Sequence, residues 1–160
     1  MNKTEIYALL KANDIKYEIT EHQAVFNMKD VAEINMPYPE ADAKNLFVRD
    51  DKKRQYYLIT VKGDKKVHLK EFKQKYGTRS LSFASPEDLY SKLKLTPGSV
   101  TPFGLLNDES KSVCFYLDRE LEQGLIGCHP NDNTATVWLS AADLLRLIEE
   151  HGNPIIIADL

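Results

Sequence analysis

The 160-residue sequence has few of the residue types that mark the specialised classes of protein. It contains only two cysteines, Cys114 and Cys128, and they form no C-x-x-C pair. Both lie in apolar, strand-like stretches, so we expect buried free thiols rather than a disulfide or a metal site. The four histidines show no spacing typical of metal ligands. The sequence therefore predicts no metal site.

Long apolar runs are absent as well. No stretch approaches the roughly 18 residues that a membrane span needs, and the beginning of the sequence, MNKTEIYALLKANDIKY, lacks the apolar region and cleavage site of a secretory signal. We expect a cytoplasmic protein without a membrane partner. The patterns G-x-x-x-x-G-K-[ST], G-x-G-x-x-G, G-x-S-x-G and H-E-x-x-H are also missing. No familiar nucleotide, zinc or serine-hydrolase site is predicted, and no cofactor.

Charge is distributed unevenly along the chain, although the net charge is only −3. Residues 44–79 carry 12 Lys and Arg against 4 Asp and Glu, whereas the rest of the chain carries 9 against 20. Such a basic segment is either a well-solvated hairpin and helix or the contact surface for a polyanion. On an otherwise acidic protein, RNA would suit that surface better than a membrane.

Hydrophobic periodicity and end signals predict an α+β protein with a single domain over residues 1–160. The predicted helices are Thr4–Asn13, Met28–Ile34, Leu69–Tyr76, Pro86–Leu93 and a last helix from Ser140 to about Glu150. The predicted strands are Ile15–Thr20, Leu46–Val48, Tyr56–Val61, Ser112–Leu117, Leu125–Cys128, Thr134–Trp138 and Ile155–Ile157. Hairpins and helices are mixed without a regular β-α-β alternation, which favours a mostly antiparallel or mixed sheet.

The stretch DAKNLFVRD places two polar residues where a strand begins. Alternate residues of a strand share a face, so we expect Lys44 beside Leu46 and Val48, and Asn45 beside Phe47. A partly desolvated ammonium at the mouth of a core is either a paired structural charge or a group that binds a ligand. In the second case it could hold a phosphate or polarise a carbonyl.

Two further stretches are candidates for a binding site. PGSVTPFG contains Gly98-x-x-x-Pro102, in which the glycine lets backbone N–H groups approach a ligand and the proline stiffens the loop. An ordinary connection is the alternative. His129, in the stretch CHPNDN, precedes a proline and should have an extended backbone. It either binds a ligand or fastens the turn.

Together these motifs resemble the YbaK/ProX family of aminoacyl-tRNA deacylases, also called the prolyl-tRNA-synthetase-associated domain. The matching landmarks are KNLFVRD, QYYLITV, LSFASPEDLYSKLKLTPGSVTPFGLLND, FYLD and CHPNDNTATVWLS, in this order over nearly the whole chain. The resemblance implies a twisted, partly barrel-like β-sheet flanked by helices, and metal-independent hydrolysis of the ester in mischarged tRNA. The full PGSVTPFGLLND stretch is most similar to the free-standing alanyl-tRNA(Pro) deacylases of the PrdX or ProXp-ala type.

The resemblance also implies roles for individual residues. Lys44 corresponds to the essential lysine of the family and would anchor the terminal phosphate or ribose, while water attacks the ester with help from the ribose hydroxyl of the substrate. Asn45 would reach the substrate only if the start of the strand is distorted. The loop would line the aminoacyl pocket, and the histidine would shape its rim or contact the terminal adenosine. The substrate-binding residues implied in this way are Asn45, Gly98, Ser99, Val100, Pro102 and His129.

The expected partner is the acceptor end of tRNA(Pro), met through the basic stretch Lys52–Lys75. Prolyl-tRNA synthetase is a candidate third member of a ternary complex, and the protein is expected to be a monomer. A small pocket would accept alanine and exclude the larger proline, and candidates for its walls are Val25, Phe26 and Met28. The alternatives are a cysteinyl-tRNA(Pro) deacylase, a catalytically silent module that binds tRNA or a synthetase, and a small-molecule sensor that uses the same pocket.

Overall fold

The computed structural model describes residues 1–24 and 36–160, and these contain four helices and eight strands. The helices are α1 (Lys3–Ala12), α2 (Leu69–Tyr76), α3 (Pro86–Leu93) and α4 (Ala141–His151). The strands are β1 (Tyr17–Glu21), β2 (Ala43–Asp50), β3 (Tyr56–Lys62), β4 (Leu81–Phe83), β5 (Cys114–Asp118), β6 (Leu125–Cys128), β7 (Ala135–Ser140) and β8 (Ile155–Ala158). None of these helices is long and apolar enough to cross a membrane.

The ends of the helices follow the capping chemistry of the sequence. Asn2 Oδ1 accepts from the N–H of Glu5 at 2.8 Å, and the Glu5 carboxylate accepts from the N–H of Asn2, which closes a capping box on α1. Ser85 and Ser140 each accept from the backbone N–H three residues further on, at the starts of α3 and α4. Gly77 ends α2 with a φ of +66°, the left-handed conformation that glycine adopts without strain. The four helices predicted from these signals are confirmed.

The strands are divided between two sheets. One has three strands in the order β1-β7-β6 and is antiparallel throughout. The other has five strands in the order β4-β2-β3-β5-β8; β2 is antiparallel to β3 and β4, while β3 and β8 are parallel to β5. The predicted α+β class with a mixed sheet is confirmed, and the described strands close no barrel.

Most strand bounds agree with the prediction to within about two residues, and the larger differences are these. β2 begins at Ala43 instead of Leu46, because the residues before the apolar run pair in register with β3. β4 has only three residues, too few for an alternating pattern to reveal it. Part of the predicted loop before Gly104 is a 3-10 helix, Pro102–Asn107, and two shorter 3-10 helices lie at Pro39–Ala41 and Arg119–Leu121. The predicted helix Met28–Ile34 and the candidate pocket residues Val25, Phe26 and Met28 lie outside the described residues.

Two apolar cores lie on the two faces of the five-stranded sheet. The inter-sheet core fills the space towards the three-stranded sheet and is closed by α1, α3 and α4; its members include Phe47, Leu58, Phe115, Val137 and Leu144. The α2 core lies beneath α2 on the opposite face; its members include Val48, Ile59, Val61, Phe72 and Tyr116. A side chain of β2 therefore reaches one core or the other according to its place in the alternation.

Candidate functional site

The two polar residues at the start of β2 lie on opposite faces of the five-stranded sheet, as the alternation predicts. On the face of Lys44, the neighbouring Leu46 and Val48 pack in the α2 core. On the face of Asn45, the neighbouring Phe47 packs in the inter-sheet core. The ladder between β2 and β3 pairs every residue in turn through this stretch. The distortion on which the predicted role of Asn45 depended is therefore not found, and Asn45 can meet a substrate only on the face of the inter-sheet core, opposite Lys44.

The Lys44 ammonium is half-buried and is held by one main-chain carbonyl. Nζ donates to the carbonyl oxygen of Lys65 at 3.0 Å. No Asp or Glu oxygen within residues 1–24 and 36–160 lies within 4.0 Å of Nζ. A lysine ammonium has three N–H donors, so two have no partner among the described residues and are available to a ligand. A structural ion pair was one of the two alternatives that the sequence allowed for Lys44. The described part of the chain contains no such pair.

Lys65, which supplies that carbonyl, has a different environment. Its Nζ lies 2.7 Å from Asp118 Oδ2 and 3.3 Å from Glu120 Oε2, and it donates to the carbonyl oxygen of Leu160 at 2.7 Å. Burial disfavours the Lys65 charge, but the hydrogen bonds and charges of the two carboxylates outweigh burial and raise the pKa of Lys65. Asp118 is only 1% exposed, so this ammonium neutralises a buried carboxylate of the fold.

The Gly98–Pro102 loop is fastened to the end of β6. The Thr101 hydroxyl is fully buried, donates to the carbonyl oxygen of His129 at 2.6 Å, and accepts from the N–H of Phe103 at 3.4 Å. The structure thus brings together two stretches that the sequence nominated separately. It adds Thr101, which sequence reasoning missed because a loop threonine has no distinguishing pattern around it.

The remaining loop residues are anchored to different extents. Gly98 has a φ of +90°, a conformation that glycine adopts without strain. Ser99 and Pro102 are buried, and the N–H of Ser99 donates to the carbonyl oxygen of Thr96 at 3.0 Å. Val100 is half-buried and packs against the inter-sheet core. The loop therefore forms a firm wall on the same side of the five-stranded sheet as Asn45.

The His129 ring is held in one tautomer. Its Nδ1 lies 2.9 Å from the carbonyl oxygen of Ala135, and a carbonyl only accepts, so Nδ1 carries the proton and Nε2 is an acceptor. Burial lowers the pKa of His129, the hydrogen bond to Ala135 opposes this, and the neighbouring His22, with its ring centroid at 6.0 Å, lowers the pKa further. His129 thus fastens its turn through one nitrogen, while Nε2 has no hydrogen-bond partner within residues 1–24 and 36–160.

A bridge between Asp42 and Gly127 joins the start of β2 to β6. A Cβ atom on Gly127 would lie 2.4 Å from the Trp138 ring, so a larger residue would displace the ring. The two segments run parallel at this bridge. Lys44 follows Asp42 by two residues, and His129 follows Gly127 by two residues. The start of β2 and the end of β6 therefore lead to the same end of the two sheets, which is the candidate functional site.

Burial raises the pKa of Asp42 at the bridge and of both cysteine thiols. Burial raises the pKa of Asp42, although the N–H of Ala43 and the charge of His22 oppose this effect. Burial and the charge of Asp42 both raise the pKa of Cys128, and burial raises the pKa of Cys114 to about 11. Both cysteines are buried and free, as predicted. A protonated, buried thiol is a poor nucleophile, so neither cysteine suits covalent catalysis.

The basic segment 44–79 is divided between cations that the fold uses and cations that are exposed. Besides Lys65, Arg79 pairs with Asp51 at 2.6 Å, and Lys75 donates to a main-chain oxygen near the end of the chain at 2.6 Å. The side chains of Lys52–Arg54, in the turn between β2 and β3, are exposed and have no carboxylate within 4.0 Å in the described ranges. Over the same ranges, no group of three or more His, Cys, Asp or Glu side chains could hold a metal ion.

The chain is similar to known proteins over nearly its whole length. Residues 22–147 match the family model of the aminoacyl-tRNA editing domain. The prolyl-tRNA editing protein ProX of Acetoanaerobium sticklandii is 41% identical over 94% of this chain and 93% of its own length. The prolyl-tRNA synthetase associated domain-containing protein 1 of Danio rerio is 36% identical over 98% of this chain and 86% of its own length. The Mus musculus protein of that name is 34% identical over 97% of this chain and 95% of its own length.

Solved structures share the fold at lower identity. A proposed trans-editing enzyme for prolyl-tRNA synthetase superimposes with a TM-score of 0.73, over 99% of this chain and 95% of that chain, at 20% identity. The hypothetical protein APE2540 superimposes with a TM-score of 0.70, over 99% of this chain and 98% of that chain, at 18% identity. At these identities the two structures establish the fold alone, and they match the two-sheet arrangement described above.

Proposed function

The chain belongs to the family of aminoacyl-tRNA editing domains, and we propose that it is a deacylase that hydrolyses the ester between tRNA(Pro) and a wrong amino acid, above all alanine. The observation that carries the proposal is the 41% identity with a prolyl-tRNA editing protein across nearly the full length of both chains. The PGSVTPFGLLND stretch, which resembles the alanyl-tRNA(Pro) type, supports alanine as the amino acid removed.

The chemistry is the attack of water on an ester carbonyl, in which negative charge develops on the carbonyl oxygen and positioned donors stabilise it. Collapse of the tetrahedral intermediate releases the amino acid and returns the hydroxyl of the terminal ribose. In this proposal the adjacent ribose hydroxyl of the substrate assists the water. Burial keeps both thiols protonated, which supports water over cysteine as the nucleophile.

Lys44 would anchor the terminal phosphate of the tRNA. Its two unused N–H donors and its charge suit a phosphate oxygen, and no described carboxylate competes for them. The carbonyl oxygen of Lys65 limits the directions in which the ammonium can point. An anchor of this kind fixes the distance between the phosphate and the ester, and positioning alone can supply much of a rate enhancement.

The ester would lie on the other face of β2, towards the inter-sheet core. Asn45 and the Gly98–Pro102 loop lie on that side of the five-stranded sheet, and the loop is bonded to the main chain of His129. In the proposal the Asn45 amide donates to the ester carbonyl, and His129 Nε2 accepts from a hydroxyl of the terminal ribose. The start of β2 then separates the phosphate anchor on one face from the ester pocket on the other.

Discrimination against proline would depend on pocket size. A few missing methylenes are worth only about 1–3 kcal/mol each to a synthetase, so a second site that admits alanine and excludes proline corrects errors that the first site makes. Gly98–Pro102 and His129 would form two walls of that pocket. Thr101 supports this arrangement because its hydrogen bond holds the loop against the main chain of His129.

The remaining partners are proposals of the same kind. The exposed turn Lys52–Arg54 would contact phosphates of the acceptor stem, since its charges are not used by described carboxylates. We place the protein in the cytoplasm as a monomer, acting on mischarged tRNA(Pro) alone or in a ternary complex with prolyl-tRNA synthetase.

The decisive experiment is hydrolysis of tRNA(Pro) charged in turn with alanine, cysteine, serine and proline, with uncharged tRNA(Pro) as the binding control. We expect alanine to be released fastest and proline to be spared. Fastest release of cysteine would assign the alternative specificity. Tight tRNA binding without hydrolysis of any ester would identify a silent binding module and overturn the proposal.

A further inference from the structure

The Asn45 amide is held by a residue of the neighbouring strand. Thr60 lies directly opposite Asn45 in the antiparallel ladder between β2 and β3. Its hydroxyl is fully buried and donates to Asn45 Oδ1 at 2.6 Å. A buried hydroxyl left without a partner costs free energy, so this hydrogen bond holds the amide group in place.

The bond leaves the nitrogen end of the amide available. Asn45 is half-exposed, and Nδ2 has no hydrogen-bond partner within the described ranges 1–24 and 36–160. An asparagine amide presents an acceptor at one end and two N–H donors at the other. With the acceptor occupied by Thr60, the two Nδ2 donors are the part of the amide that remains for a ligand.

We propose that Thr60 is a positioning residue for the deacylase reaction: by donating to Oδ1, its hydroxyl holds the Asn45 amide in the orientation in which Nδ2 faces the ester carbonyl. The inference rests on the function proposed above and assigns a role to a residue that is not itself in contact with the substrate. The orientation matters because an amide turned by 180° would present Oδ1, an acceptor, to the oxygen on which negative charge develops.

The position of Thr60 suits this task. β3 lies between β2 and β5, and both neighbours are hydrogen-bonded to it, so the supporting hydroxyl is on a rigid inner strand. The Asn45 donors cannot be replaced by the Lys44 ammonium, which lies on the opposite face and is directed to the Lys65 carbonyl. The ester pocket therefore depends on the amide for a fixed side-chain donor from β2.

A double-mutant cycle tests the role. Thr60→Val removes the hydroxyl at nearly constant volume, Thr60→Ser keeps it, and Asn45→Ala removes the group that Thr60 is proposed to hold. Single-turnover hydrolysis of alanyl-tRNA(Pro) is measured against protein concentration for each variant. We expect Thr60→Val to lower the saturating rate about five- to tenfold, the range of one hydrogen bond, with the half-saturating concentration within about twofold of wild type. Thr60→Ser should stay within about twofold of wild type, as expected when the hydroxyl is kept.

The decisive comparison is made in the Asn45→Ala background. If Thr60 acts through Asn45, adding Thr60→Val to Asn45→Ala lowers the rate no further. The same fractional loss in both backgrounds, or no loss in Thr60→Val alone, would overturn the positioning role while the deacylase function stood. A wild-type protein that hydrolyses none of the charged tRNAs would overturn both proposals.

Side-chain amide NMR gives a readout that does not depend on activity. The Asn45 Nδ2 resonances, assigned by their loss in Asn45→Ala, should shift and broaden in Thr60→Val as the amide samples both orientations, and return in Thr60→Ser. Unchanged resonances in a folded Thr60→Val protein would contradict the proposal. Should Thr60→Val fail to fold, Thr60→Ala replaces it in both measurements, and a wild-type rate in that variant overturns the role.

Discussion

Lys44 and Lys65 are two half-buried cations joined by one hydrogen bond, and they show opposite uses of a lysine. Lys65 is enclosed by the carboxylates of Asp118 and Glu120 and by a main-chain oxygen, so its charge is balanced inside the fold. Lys44 has only the Lys65 carbonyl as a described partner. Partial burial alone therefore does not distinguish a structural lysine from a binding lysine; the difference lies in whether a carboxylate accompanies the ammonium.

The comparison explains why the two residues should respond differently to the same substitution. Removing a cation that neutralises a buried carboxylate leaves that carboxylate desolvated and unpaired, which is costly. Removing a cation held by a carbonyl oxygen gives up one hydrogen bond of modest net value. Stability should thus follow Lys65, whereas activity should follow Lys44.

The largest expected effect is on activity, from Lys44→Ala. We expect hydrolysis of alanyl-tRNA(Pro) to fall by about a hundredfold or more, comparable to the loss of a positioned donor in other enzymes. The free energy of unfolding should fall by less than about 1 kcal/mol, since one hydrogen bond is lost. Single-turnover kinetics and urea unfolding of the same preparation measure both quantities.

Two results would break the assignment of Lys44. Activity within a few-fold of wild type would remove it from the site. Unfolding of the variant would make Lys44 a structural cation like Lys65, and the contrast between the two lysines would disappear.

The matched variant Lys65→Ala should give the reverse pattern. We expect a loss of about 2–3 kcal/mol in the free energy of unfolding, because Asp118 is 1% exposed and is left without its cation. Adding Asp118→Asn should recover part of this loss, since it removes the unpaired charge. A Lys65→Ala protein as stable as wild type would show that the ion pair contributes little.

The sequence predicted the placement of Lys44 but missed the structural role of Lys65. Alternation along DAKNLFVRD placed Lys44 and Asn45 on opposite faces, because strand periodicity is a local property. Nothing local marks Lys65 as structural, since its partner Asp118 lies in β5 and Leu160 lies 95 residues away. A count of the charges along the chain treats both lysines alike.

The same limit applies to the rest of the site. The sequence nominated the Gly98–Pro102 loop and His129 separately, and the hydrogen bond that joins them spans 28 residues through a threonine with no motif of its own. Helix ends were predictable because capping involves residues three apart. The parallel pairing of β3, β5 and β8 was not, since parallel partners are distant in sequence and leave no turn signal between them.

A smaller effect is expected from the exposed cations Lys52–Arg54, which have no carboxylate partner within residues 1–24 and 36–160. Lys52→Glu with Lys53→Glu should weaken tRNA binding about tenfold at low salt and reduce the salt slope by about one to two, since lost phosphate contacts release fewer counterions. The rate at saturating protein should change little, because these groups contact a non-reacting part of the substrate. Single-turnover rates measured against protein concentration at two salt concentrations give both the apparent affinity for tRNA and the saturating rate.

The matched control reverses Lys11 and Lys16, which are also exposed but lie outside the basic segment. That variant should bind tRNA nearly as wild type does. Equal effects of the two variants would mean that only net charge matters, and no effect of either would make the basic segment a solvated surface.

The smallest expected effect concerns His129, where Nδ1 fastens the turn and Nε2 has no hydrogen-bond partner among the described residues. Burial lowers the pKa of His129 below its ordinary value of 6.5. Below pH 6.5 the unfolded chain therefore takes up a proton that the folded protein refuses, and the free energy of unfolding should decrease as the pH falls through this range. His129→Asn keeps an N–H near the position of Nδ1 but does not titrate, so the stability difference between wild type and variant should shrink from pH 7 to pH 5.

Asp42→Asn should reveal the opposite slope, because burial raises the pKa of Asp42 and the contribution of Asp42 to stability is lost as the pH rises. Urea unfolding at several pH values measures both, and a difference between wild type and His129→Asn that does not vary with pH would show that the imidazole does not titrate as its burial requires.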